Sequence, residues 1–210
     1  MSIKLGDVAP DFTADSTEGE INFHEYLGDS WGVLFSHPAD FTPVCTTELG
    51  AVAALMPEWK KRNVKVVGLS VDPMEDHEAW VGDIEDVTGN ALNFPLLADP
   101  DRKVSNLYGM IHPNADSTHT VRSVFVIAPD KTVRLTLTYP PATGRNFDEL
   151  LRSIESLQRT EEHKVATPAD WVEGEDVIIV PSLSDEEATS MFGEYETLKP
   201  YLRMTKDPGE

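Results

Sequence analysis

Two apolar patterns alternate through most of this chain, and that alternation constrains its fold more than any other feature. Val33-Leu34-Phe35 is a short apolar run of the kind a buried strand needs, and Val64 to Val71 (VKVVGLSV) is a longer, β-branched one. Between them Leu49, Val52, Ala53, Met56 and Trp59 recur at spacings of three and four. That spacing predicts a helix over Cys45 to Arg62 with one inward stripe, and Pro43 suits its first turn. Asp76 to Val87 then reads as a helix, Phe94 to Leu97 as a short strand and Arg102 to Tyr108 as a short helix. Ser123 to Ile127 and Val133 to Thr138 flank Ala128-Pro129-Asp130-Lys131, a hairpin signal. Phe147 to Leu157 is helical, with Leu150, Leu151, Ile154 and Leu157 inward and Asn146 as its cap. Strands alternating with helices, then a hairpin and a helix, imply an α/β protein with a mixed central sheet.

The pattern changes near Arg159. Pro168, Pro181, Pro200 and Pro208 break the rest into short pieces with one clear strand, Val177 to Val180. The expected organisation is a main domain over residues 1–160 and an arm over residues 161–210. The arm reads as too short and too acidic to hold a core alone, so it docks on the main domain or on another subunit.

Composition narrows the function. Asp and Glu total 37 against 17 Lys and Arg, a formal net charge of −20. Such a surface repels phosphate backbones and anionic lipid, which disfavours nucleic acid as a partner. No apolar run approaches the ~20 residues of a membrane span. The first residues, Met1 to Asp7, lack the layout of a signal peptide, so a soluble, cytoplasmic protein is expected. One cysteine excludes an internal disulfide and a cysteine-built zinc cage. The six histidines are scattered without metal-ligand spacing, and neither metal nor cofactor is expected.

The lone cysteine has informative neighbours. The segment Leu34-Phe35-Ser36-His37-Pro38-Ala39-Asp40-Phe41-Thr42-Pro43-Val44-Cys45 places it after a buried strand and at a helix start. Unpaired N–H groups and the partial positive charge there favour a thiolate, the nucleophilic form. Thr42 lies three residues earlier, within reach of the sulfur or of a substrate oxygen in a tight turn. Pro38 and Pro43 stiffen the loop and remove two N–H donors, and Pro38 shields the sulfur from water.

Pro38-x-x-x-Thr42-x-x-Cys45, with His37 before it and Thr46-Thr47-Glu48-Leu49 after it, matches the active-site motif of the peroxiredoxins. The wider resemblance is to their one-cysteine, peroxiredoxin-6-type branch. It runs from Leu5-Gly6-Asp7-Val8-Ala9-Pro10-Asp11-Phe12 to Val165-Ala166-Thr167-Pro168-Ala169-Asp170-Trp171. The resemblance implies a thioredoxin-like fold and reduction of hydrogen peroxide and organic hydroperoxides through a sulfenic acid at Cys45. With no second cysteine, an external thiol must regenerate the enzyme. It further implies that Arg122 lies beside the sulfur and the peroxide oxygens, and that Arg145 orients that shell through Glu48. Against this, either arginine could form an ordinary surface ion pair. His37 is placed near the sulfur by the same resemblance, and a structural histidine at a strand end is an equal reading. Glu48 also fits as a plain first-turn carboxylate. A homodimer, or a decamer of dimers in a ring, is the implied assembly.

Two other functions remain in view. Gly28-Asp29-Ser30-Trp31-Gly32 fits the Gly-x-Ser-x-Gly pattern of serine hydrolases. By the same resemblance, a phospholipase A2-like site would use Ser30 with His24 and Asp130. Ser30 precedes a strand, however, whereas a nucleophile elbow follows one. The third class is a non-catalytic, chaperone-like scaffold, which would require Cys45 to be inert.

Overall fold

The computed structural model describes residues 3–116 and 118–209; Met1 and Ser2, read above as part of a leaderless start, and Glu210 of the arm lie outside them. The chain divides into two compact units, Met1–Phe147 and Asp148–Glu210. The sequence-based boundary at residue 160 lies further on, beyond most of the helix that opens the second unit.

The first unit begins with a hairpin of β1 (Thr13–Ser16) and β2 (Gly19–Asn22), then α1 (Phe23–Leu27) and β3 (Trp31–Ser36). Next come α2 (Pro43–Ala54), α3 (Met56–Lys61), β4 (Val64–Ser70) and α4 (Met74–Thr88). It continues with β5 (Leu96–Ala98), α5 (Lys103–Leu107), β6 (Arg122–Ile127) and β7 (Val133–Tyr139). These strands form one seven-stranded sheet in the order β2-β1-β5-β4-β3-β6-β7. β3, β4 and β5 run parallel, while β6 pairs antiparallel with both β3 and β7. The expected mixed α/β sheet is therefore present. β3 and β6 are buried along their whole length, which is why they read as continuous apolar runs rather than alternating ones.

The predicted helix over Cys45 to Arg62 is two helices. Leu49, Val52, Ala53, Met56 and Trp59 are all buried as the stripe requires. The break falls at Leu55, because Pro57 has no N–H for the next turn and its ring crowds the preceding one. The helix also starts earlier than predicted, at Pro43, with Thr42 as its N-cap residue.

The second unit holds α6 (Phe147–Glu162, opening at the last residue of the first unit), β8 (Val165–Ala166), β9 (Val177–Ile179), α7 (Asp185–Phe192), β10 (Glu196–Lys199) and β11 (Leu202–Thr205). Where the sequence indicated one strand, four short ones pair antiparallel in the order β10-β11-β9-β8. β9 is the strand the sequence indicated; of the others, β8 has only two residues, and β10 is exposed at every position and carries no apolar alternation. This unit has its own small cluster of Val165, Trp171 and Val177, with Phe192 against it.

Gly50 on α2 faces Thr88 on α4 so closely that an added Cβ would overlap the threonine side chain. Gly50→Ala is therefore expected to destabilise the protein by about 1–3 kcal/mol, outweighing the helix propensity of alanine. Urea denaturation reads this directly, and an unchanged or raised midpoint would show that the helices separate freely.

Candidate active site

Thr42, as N-cap residue, makes no side-chain capping bond; its hydroxyl proton goes to the Ala39 carbonyl at 2.8 Å. Pro43, Val44 and Cys45 follow as the first three helical residues, and the N–H groups of Val44 and Cys45 receive no cap from that side chain. Cys45 itself is fully buried and free. A thiol here sits against N–H dipoles and the positive end of a helix.

Arg122 reaches this sulfur from β6. Its Nη1 lies 3.4 Å from Cys45 Sγ and 2.7 Å from Glu48 Oε2. Its Nε and Nη2 both donate to the Pro141 carbonyl, at 3.0 and 2.6 Å, which fixes the plane of the guanidinium. Glu48 lies one turn beyond Cys45 on α2, on the same side of the helix. Arg145 grips it with Nε on Oε1 at 3.0 Å, Nη2 on Oε2 at 2.6 Å and its backbone N–H on Oε1 at 2.8 Å. Arg145 Nη1 donates to the Ser36 and Ser123 carbonyls at 2.9 and 3.1 Å, and its guanidinium lies over the Phe35 ring.

All three charged side chains are about 2–3% exposed. Burial by itself would raise the Glu48 carboxyl. The hydrogen bonds and charge of Arg145, together with the charge of Arg122, overcome that and hold it below its ordinary value. Two guanidinium groups and one carboxylate leave a net positive charge in a dry site beside the sulfur. That charge is placed to meet negative charge at the sulfur.

The structure thus brings together Cys45, Arg122, Glu48 and Arg145, and sets Thr42 at the helix start. The surface-pair alternative for the two arginines does not hold, since both are buried. Pro38 is half-buried in the same loop. His37 is fully buried; its Nε2 is bonded to Asp40 Oδ1 at 2.8 Å, and no hydrogen bond joins it to Cys45. Sequence reasoning missed Asp40 and His77, which belong to the same buried network. The signal for His77 was its place at the head of the buried face His77, Trp80 and Ile84 of α4. His37, Asp40 and Asp72 offer donor atoms within 4.8 Å of one another, but these are engaged in hydrogen bonds to protein groups.

The hydrolase residues are occupied elsewhere. Ser30 Oγ donates to Asn63 Oδ1, His24 Nε2 is on the Ala9 carbonyl, and Asp130 accepts from Thr132 and Arg134. No hydrogen bond links any of the three to another, and Ser30 immediately precedes β3.

A buried cysteine at a helix start, on a parallel-centred α/β sheet and in contact with a guanidinium, defines a thiol-dependent redox enzyme. Residues 5–136 match the AhpC/TSA family, and residues 156–195 match the C-terminal domain of 1-Cys peroxiredoxin. The chain is 55% identical over 209 residues to the 1-Cys peroxiredoxin of Dictyostelium discoideum, covering 99% of this chain and 87% of the relative. A yeast mitochondrial 1-Cys peroxiredoxin, solved in a study of thiol resolution via glutathione/thioredoxin systems, superposes with a TM-score of 0.92. It is 52% identical, over 97% of this chain and 99% of that one. A cysteine-to-serine mutant of peroxiredoxin 6 from Arenicola marina gives a TM-score of 0.94 at 48% identity, over the whole of both chains. This chain belongs to the peroxiredoxins, in their one-cysteine branch. It has their thioredoxin-like fold and their activity, that of a thiol peroxidase.

Replacing Glu48 by Gln leaves two buried guanidinium groups facing a neutral amide, an expected loss of about 3–5 kcal/mol. Because the Glu48 carboxyl is held low in the fold, its contribution is complete above the ordinary carboxylate range and fades as pH falls through the depressed value. Urea midpoints from neutral to acidic pH should therefore fall more steeply for wild type than for Glu48→Gln. Parallel curves would mean that Glu48 carries no linked charge.

Proposed function

We propose that Cys45 is the peroxidatic nucleophile, with Arg122, Thr42 and the first-turn N–H groups of α2 as the machinery around it. The contact that carries this reading is Arg122 Nη1 shared between Cys45 Sγ and Glu48. The guanidinium holds the sulfur as thiolate and is itself held by Glu48 and by the Pro141 carbonyl. Arg145 orients Glu48 and is a positioning residue.

The thiolate attacks the terminal oxygen of a hydroperoxide in line with the O–O bond. An S–O bond forms, the O–O bond breaks, and its electron pair leaves on the distal oxygen. That oxygen takes a proton to become water or an alcohol, and Cys45 is oxidised by two electrons to sulfenic acid. Arg122 and the free N–H groups meet the charge growing on the oxygens, so they bind the transition state more strongly than the ground state. Thr42 already spends its proton on Ala39, so its hydroxyl offers lone pairs and accepts from the O–H of the peroxide. Pro38 and Pro43 keep competing donors and water from the loop. An external thiol condenses with the sulfenic acid, releasing water, and a second thiol frees Cys45 from the mixed disulfide. The likeness to a yeast protein studied with glutathione and thioredoxin supports a dithiol protein or glutathione as the source of those thiols.

In stopped-flow mixing with hydrogen peroxide, followed by intact mass, wild type should consume one equivalent rapidly and gain one oxygen. Cys45→Ser should do neither. Arg122→Lys, which keeps the charge and loses the fork, should slow oxidation by about 10²–10³-fold. Equal, slow consumption in all three would overturn the assignment.

The assembly we propose is a homodimer, with residues 161–210 at its interface; a ring of five dimers is the larger form to test against. Support comes from the second unit, where Val172, Met191, Leu198 and Tyr201 are 46–72% exposed. Sedimentation velocity should give twice the 23.3 kDa chain mass, and a monomer at micromolar concentration would refute the assembly. We place the protein in the cytoplasm, on the acidic composition and the absence among the described residues of a helix able to cross a membrane. A relative 52% identical to it is mitochondrial, and finding this protein in the organelle fraction would refute that placement.

A further inference from the structure

Asp40, in the loop between β3 and α2, is buried, and its two carboxylate oxygens serve two different histidines. Oδ1 meets His37 Nε2 at 2.8 Å, and Oδ2 meets His77 Nδ1 at 2.5 Å. His77 stands near the start of α4, and its other ring nitrogen lies 3.1 Å from the Leu97 carbonyl of β5. A carboxylate and a carbonyl can only accept, so both His77 nitrogens carry protons and the ring is an imidazolium. His37 differs, because its Nδ1 is buried without a partner. Its one proton therefore sits on Nε2, facing Asp40.

The backbone N–H of Asp40 donates to Asp72 Oδ2 at 3.0 Å, and Ser70 Oγ donates to the same oxygen at 2.7 Å. The charged and titratable groups of the cluster are thus Asp40, Asp72, His37 and His77; the ring packed on His37 is the neutral Trp80. Burial would lower His77, but the hydrogen bond and charge of Asp40 and the Leu97 carbonyl raise it above its ordinary value. Burial takes His37 the other way.

The network joins the C-terminal ends of β3, β4 and β5, where open α/β sheets place their sites. It grips a segment that needs holding. Phe41, next to Asp40, has φ of 53°, a left-handed conformation that a bulky residue keeps only when its surroundings impose it. The following residue is Thr42, the N-cap of the helix that carries Cys45.

We infer that His77 is a positioning residue of the peroxidase: as a buried imidazolium between Asp40 and Leu97 it clamps the loop His37–Thr42 that sets Thr42 and Pro38 beside Cys45. The inference rests on the peroxidase reading of that loop. Neutralising His77 weakens the hold on Asp40, the strained loop relaxes, and the oxidation of Cys45 slows while the remote chemistry of Arg122 stays in place.

Two measurements test it. In wild type with labelled histidine, nitrogen NMR at pH 7 should show one ring protonated on both nitrogens and one neutral ring protonated on Nε2 alone, assigned by loss of the first in His77→Asn. Peroxide oxidation of Cys45 in His77→Asn should be roughly tenfold to a hundredfold slower than in wild type. That gap should be full below the raised His77 value and should close as pH rises through it, since wild type then loses the same charge. A gap independent of pH would mark His77 as mere packing and overturn the inference, as would a neutral His77 ring in wild type. A wild-type protein inert to peroxide would instead refute the peroxidase reading, while the NMR still reports on His77.

Discussion

Glu48 sits between two guanidinium groups with almost no water around it, and much of the site is arranged by that contact. A lone buried carboxylate would be costly, and so would either arginine. Together they share one carboxylate, and the remaining guanidinium donors reach the Pro141, Ser36 and Ser123 carbonyls. Those carbonyls belong to β3, β6 and the segment after β7, so the ion cluster pins α2 to the sheet. It also leaves one positive charge over, directed at Cys45.

The sheet explains why the cluster can exist. The motif that carries Cys45 leaves the end of β3, and Arg122 opens β6, its antiparallel neighbour. Pairing Phe35 with Val124 brings the end of one strand beside the start of the other, so residues 77 positions apart meet at the sulfur. On the other side of β3, the parallel strands β4 and β5 end at Ser70 and Ala98; the loop after β4 supplies Asp72, and Leu97 within β5 supplies the carbonyl that holds His77. One loop, residues 37–42, is thus braced from both sides. Its strained residue, Phe41, lies between the brace and the helix.

Much of this was legible without coordinates. The Pro38, Thr42 and Cys45 spacing is local, and a strand, a turn and a helix start suffice to give it meaning. Arg122 and Arg145 were legible only through resemblance, since nothing nearby in the chain says that they reach Glu48. Asp40 and His77 were missed for the same reason. They lie 37 residues apart, and a histidine on an apolar helix face reads as core until its acceptor is known. The break at Pro57 is masked in the sequence by a clean apolar stripe, which runs on across it because Met56 and Trp59 of α3 are buried as Leu49, Val52 and Ala53 of α2 are. Of the second unit's sheet only β9 was visible, because the strands are two to four residues long, too short for an alternating pattern to register, leaving backbone pairing as their main signature.

What the amino-acid order determined by itself was local and periodic: the alternating elements, the lone nucleophile at a helix start, and the lack of any second thiol to resolve it. These depend on neighbours a few residues away, where backbone geometry limits the outcome. The tertiary structure alone decided which charges meet. It set a single carboxylate between Arg122 and Arg145, turned the Thr42 proton toward Ala39, and joined two distant histidines through Asp40. Such contacts depend on strand order and register, and their energies are large only because folding removes the water that would otherwise screen them.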